Sequence, residues 1–190
     1  MGVSSSSSFT TELAAARIGA TYNQYAASAV RRERLCAYLD ARACAEIVLV
    51  GEAAGYRGAR VSGIPFTSER QLSGSGPAEA SATVVHRVLG ELGVEDRVLL
   101  WNVVPTHPGT ATSNRAPTRR EIEAARPFLE WMVTGRRPIA VGRVAAAALD
   151  APYVRHPAHG GAAEFARSLE RVLFRYTPPS ADALSAPFSV

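Results

Sequence analysis

The chain has 190 residues, 47% of them apolar, and a formal net charge of +4. That size and apolar content fit one globular domain with a full hydrophobic core and exclude a disordered chain. No apolar run approaches the ~18–20 residues of a membrane span, and no basic-then-apolar segment at the N-terminus marks a secretory signal.

The basic residues are all arginine, 21 of them. A lysine-free chain commonly reflects a GC-rich genome, yet it has two chemical consequences. Guanidinium groups make forked contacts to phosphate, and no lysine amine is available for a Schiff base. The modest positive charge is by itself weak support for a nucleic-acid partner. Cys36 and Cys44 are the only cysteines. They are too few for a disulfide framework and complete no zinc site, which fits reduced thiols in a cytoplasmic protein.

In chain order, residues 1–9, with the run Ser4 to Ser8, read as a disordered leader. Residues 10–45 read as helix, with apolar positions recurring at three and four. Ile47 to Val50 is a buried-strand pattern. The glycine-rich stretch 51–76 has no clear period and reads as a long functional loop. Pro77 suits the first turn of a helix reaching about Leu92. Val98 to Trp101 forms a second strand ending at Asn102, and 105–117 a proline-rich loop. Thr118 and Glu121 form a capping box for a helix to about Thr134. Pro138 to Val141 is a third strand, Arg143 to Leu149 a short helix, and Tyr153 to Arg155 a fourth strand ending at His156. A loop through Gly161 leads into a last helix, Ala162 to Phe174. Alternating strands and helices predict an α/β fold: three layers, α/β/α, around a central four-stranded parallel sheet. The folded domain is expected over residues 10–176, followed by a loosely held tail, 177–190, with Pro178, Pro179 and Pro187.

The chemically interesting residues follow strand ends: Glu52 after the first, Asn102 at the second, His156 at the fourth. In such a sheet these ends share one edge, where ligands bind. Each residue also has a bland reading. Glu52 can cap a helix or pair with an arginine, Phe66 can be core, and Asn102 can satisfy loop backbone. His156-Pro157 can be a turn. His86, on a helix flank, reads as structural, and His107 has no assignment. The slim segment Ala158-His159-Gly160-Gly161, just before a helix, suits a phosphate.

Taken together, Gly51-Glu52-Ala53-Ala54-Gly55 with Gly63-Ile64-Pro65-Phe66, Asn102-Val103-Val104, Asn114 to Thr118 with Glu121, Arg126 to Leu129, Ala140-Val141-Gly142 and His156-Pro157-Ala158 resemble the uracil-DNA glycosylase superfamily. The matches keep family order over about residues 46–172 and are nearest the branch that usually carries an iron–sulfur cluster. The resemblance implies that Glu52 positions or activates the attacking water and that Phe66 stacks on the flipped base. It implies that Asn102 reads the uracil edge and His156 stabilises the leaving base, with Pro157 to Gly161 entering the DNA. Ala53 and Tyr56 are expected beside the base, and Arg115, Arg119 and Arg155 on the DNA backbone.

The departures from the family pattern are informative. Pro105 and Ala125 stand where two cluster cysteines would be, so no cluster and no other cofactor is expected. Ala53 stands where the best-known branch has an aspartate, leaving Glu52 as the carboxylate of this motif. Asn114 stands where a covalently trapping branch has a histidine. Gly55 stands where a tyrosine excludes thymine, so Tyr56 or a backbone segment must do so here. The expectation is a monomeric DNA-repair glycosylase that acts on uracil-containing DNA, leaves an abasic site and has no membrane partner. The alternatives are a glycosylase for another deaminated or mismatched base, or a DNA-binding protein that recognises uracil or abasic sites without cleaving.

Overall fold

The computed structural model describes residues 5–175. Four strands form one all-parallel sheet in the order β2-β1-β3-β4: β1 (Ile47–Ala53), β2 (Val98–Val104), β3 (Arg137–Val141) and β4 (Tyr153–Val154). The expected α/β/α architecture and four-stranded parallel sheet are therefore present. A sheet covered on both faces needs strands apolar on both sides, which is why β1 and β2 read as unbroken apolar runs.

Successive side chains point to opposite faces. Val48, Val50, Leu99, Trp101 and Ala140 enter one core, with helices α1 (Ser6–Ala15), α2 (Ala29–Ala41), α6 (Arg119–Val133) and α7 (Arg143–Ala148). Ile47, Leu49, Val98, Leu100 and Ile139 enter the other, with α5 (Ala80–Glu91) and α8 (Ala162–Arg175). The chain leaves β1 for β2 through α5 on one face, then crosses to β3 through α6 on the other. The order reverses between β1 and β3, and a crevice is left above their carboxyl ends. Among the described residues no helix is long and apolar enough to cross a membrane.

Several boundaries differ from expectation. Ser5 caps α1, accepting from Ser8 N–H at 3.2 Å, so Ser6 to Phe9 are helical rather than part of a disordered leader. Phe9 anchors them by stacking on Trp131 at 4.3 Å. Residues 1–4 and the proposed tail, 177–190, lie outside the described residues. The single helix expected over 10–45 is two helices. Asn23 breaks it: its Nδ2 donates to Leu13 O and Ala16 O at the end of α1, while its Oδ1 accepts from Tyr25 and Ala26 N–H. These are local bonds of the kind that compete with helix. β1 runs on to Ala53 and β2 to Val104, so Glu52 and Asn102 both lie inside their strands, near the carboxyl ends. Helix α5 starts at Ala80, beyond Pro77, and the segment expected as one loop over 51–76 begins only after Ala53 and contains two short helical turns, α3 (Ala59–Ser62) and α4 (Glu69–Ser73). The Thr118–Glu121 capping box forms as expected.

Candidate active site

A cleft of about 540 Å³ opens over the carboxyl ends of the strands. Glu52, Ala53, Phe66, Asn102, Arg115, Arg155, His156, Ala158 and His159 all line it, so the structure brings together residues from three strand ends and the loops between them.

Gly51 is what allows the first group to converge. A Cβ there would run into the Phe66 ring and lie 2.9 Å from Asn102 Oδ1. Phe66 itself is held at φ 51°, in the left-handed region. A bulky side chain adopts that conformation only where its surroundings fix it. The fixing contacts are local: Ser62 Oγ donates to Thr67 O at 2.6 Å and Tyr25 Oη donates to Gly63 O at 3.1 Å. Phe66 is thus both core and cleft wall, 7% exposed and packed with the α5–α8 core.

Glu52 follows at the end of β1, half-buried. Among the described residues its carboxylate has no hydrogen bond or ion pair, and burial pushes its pKa above the usual carboxylate value of 4.5. Asn102, one strand over and beside Gly51, is buried with a carboxamide that likewise has no partner among the described residues. The cap and ion-pair readings of Glu52, and the loop-satisfying reading of Asn102, therefore have no bond behind them.

His156 faces them from beyond β4. Its Nδ1 accepts from Ala158 N–H at 3.1 Å. A backbone N–H can only donate, so the neutral ring carries its proton on Nε2. Burial, and secondarily His159, lower its pKa below the usual 6.5. The loop after it is tight. His159 sits at φ 53°, and a Cβ on Gly161 would collide with His156 O.

Other expected site residues stand elsewhere. Tyr56 does not line the cleft; Arg57 lies over its ring at 5.2 Å, and its N–H donates to Asn114 Oδ1 at 2.9 Å. Pro157, Gly160 and Gly161 shape the loop without lining the cleft, and Arg119 pairs with Glu123 at 2.9 Å. Arg115 lines the cleft, but its guanidinium is engaged in a fork to Glu121 at 2.8 and 2.6 Å. His86 bridges Thr67 and Glu95, as its structural reading implied. His107, unassigned from sequence, is fully buried, with its ring nitrogens 2.7 Å from Ala54 O and from Thr110 O. It ties the Glu52 loop to the proline loop.

Two charged cleft residues were not singled out for the site from sequence. Arg143, in the first turn of α7, is exposed at the rim and, like Arg155, makes no hydrogen bond or salt bridge among the described residues. Its place after a strand-end glycine, Gly142, was the available signal. Glu79 is a second carboxylate in the cleft, with its pKa also raised by burial. It precedes a helix thirteen residues after Phe66, where nothing in the pattern separates it from an ordinary cap.

An iron–sulfur cluster does not fit these residues. It takes four thiolates, and the chain has two cysteines, half-buried Cys36 and exposed Cys44. Among the described residues no group of three or more His, Cys, Asp or Glu side chains could hold a metal.

The parallel sheet thus gathers a carboxylate, an amide, an imidazole and an aromatic ring over its carboxyl edge. Residues 40–181 match the family described as the uracil DNA glycosylase superfamily, and the chain belongs to it. Among solved structures, the chain is similar in fold to wild-type SMUG2 from Pedobacter heparinus. The two are 12% identical, with a TM-score of 0.60 over 87% of this chain and 95% of that one. No curated protein sequence matches the chain.

Proposed function

We propose that this DNA glycosylase flips uracil out of DNA and hydrolyses its N-glycosidic bond, leaving an abasic site. The carrying observation is that Glu52 and Asn102, whose side chains have no partner among the described residues, share one cleft with Phe66 and His156. Extruding the base costs a few kcal/mol, least at a mismatch or in a single strand. Stacking on Phe66 returns about 1–3 kcal/mol. Asn102 offers donor and acceptor together, complementary to O4 and N3–H of uracil and mismatched to cytosine.

Bond cleavage develops positive charge on the sugar and negative charge on the base. The ionised Glu52 stabilises the first and takes a proton from the attacking water as its oxygen bonds to C1′. The bonding pair of the C1′–N1 bond leaves with the base, where His156 Nε2–H donates to O2. Arg143 and Arg155, which line the cleft without a hydrogen bond or salt bridge among the described residues, are suited to contact the phosphates flanking the flipped nucleotide. With no lysine in the chain, the reaction stops at the abasic site without a lysine imine.

The test is base release from single- and double-stranded oligonucleotides carrying uracil, hypoxanthine, xanthine or a G-opposed thymine, with strand nicking read on the same gels. Uracil release without nicking is expected. Release of another base alone would move the substrate, and tight uracil-DNA binding without release would make the protein a reader of damage.

A further inference from the structure

Glu79 is the N-cap residue of α5, yet its side chain makes no capping bond. It turns from the helix toward the loop after β1. There its carboxyl lies against Gly55 and Gly58, and a Cβ on either glycine would collide with a carboxyl oxygen. Among the described residues the carboxyl has no hydrogen bond or ion pair, and burial raises its pKa. A carboxyl held out of water without a partner is unfavourable, and glycines that clear space for it add conformational entropy to the unfolded chain. Both costs fall on a side chain that forms part of the cleft wall.

The position of that wall follows from the strand order. Ala54 N–H donates to Val104 O at 3.3 Å, so the chain leaves β1 toward β2, away from β4 and His156. A uracil with O2 at His156 and O4 at Asn102 turns its C5 edge to this same β2 side. Tyr56, the expected guard of that edge, is directed elsewhere.

We propose that Glu79 sets base specificity: its carboxyl closes the cleft on the Gly55 side, admitting a pyrimidine with hydrogen at C5 and excluding one with a methyl there. This rests on the uracil reading above. An oxygen at this edge can take a weak C–H···O contact from C5–H, whereas a methyl would need the volume the carboxyl fills.

The test compares the full chain with Glu79→Ser and Glu79→Gln, measuring uracil release from G·U duplexes and thymine release from G·T duplexes. Serine is a favoured N-cap residue, so Glu79→Ser opens the wall while supporting α5. Glutamine keeps the volume and removes the charge. We expect Glu79→Ser to raise the thymine-to-uracil ratio about tenfold or more, the scale of discrimination a methyl-sized difference provides. Glu79→Gln should keep the ratio of the unaltered chain. Uracil release with an unchanged ratio in Glu79→Ser, or a ratio relaxed equally by Glu79→Gln, overturns this proposal alone. No uracil release from the unaltered chain overturns the uracil reading and this proposal with it.

Discussion

Two regions of the protein bury carboxyl groups, and they do so in opposite ways. At the start of α6, Glu121 accepts two bonds from Arg115 and one from Thr118 N–H. These partners hold its pKa down at about 2. Over the end of β1, Glu52 and Glu79 have no partner among the described residues and burial pushes both upward. A partnered carboxylate serves the fold. A desolvated, unpartnered one costs the fold and leaves its lone pairs for a substrate. The contrast implies that the two groups of residues fail differently when changed.

The largest effect is expected at Glu52. Glu52→Gln should cut the rate of uracil release by roughly 10²–10⁴-fold, the span of a lost general base, while thermal unfolding at pH 7 shows equal or higher stability. Glu52→Gln with lost stability would place Glu52 with Glu121. His156→Ala should follow, lowering kcat about 10²–10³-fold, as for one removed donor to developing negative charge.

The pH profile sharpens the same point. In the proposed mechanism release needs ionised Glu52, raised above 4.5, and neutral His156, lowered below 6.5. Activity should therefore fall in acid, persist below the range where an ordinary histidine would protonate, and lose its Glu52 limb in the residual rate of Glu52→Gln.

Stability responds with opposite sign in the two regions. Glu121 ionises more readily folded than unfolded, so its contribution is full above pH 4.5 and is lost as pH falls through about 2. Glu121→Gln should cost about 1–2 kcal/mol at pH 7, discounted for the partly exposed arginine. Its unfolding free energy should change less than that of the unaltered chain over that acid range, with uracil release per folded molecule retained. Glu79 ionises less readily folded, so its penalty appears as pH rises above 4.5. Glu79→Gln should gain stability near neutrality and little at pH 4, read by thermal unfolding.

The smallest effects belong to the rim. Arg143→Ala and Arg155→Ala should each weaken DNA binding uniformly across sequences and reduce the log–log salt slope by about one. Arg119→Ala, already paired with Glu123, should leave the slope nearly unchanged.

Much of this was legible in the sequence, because it was written in local patterns. Apolar runs of strand length marked β1 and β2, Thr118 with Glu121 marked a helix start, and Glu52, Asn102 and His156 each came just after a strand-like run. Parallel topology then gathered them. What escaped depended on which side chains meet in the folded chain. Asn23 breaks the first helix through bonds to Leu13 and Ala16, and Phe9 joins the core through Trp131. The fork from Arg115 to Glu121 was not read from the sequence. Glu79 was invisible because its meaning lies in Gly55 and Gly58, more than twenty residues earlier.

One paired measurement bears most directly on the central claim: uracil release from single- and double-stranded oligonucleotides by the unaltered chain and by Glu52→Gln, with DNA affinity measured alongside. The account predicts abasic, un-nicked product from the unaltered chain, and a Glu52→Gln variant that still binds uracil-DNA but releases base at least about 10²-fold more slowly. Equal rates from the two proteins, or no uracil release from the unaltered chain, would contradict it.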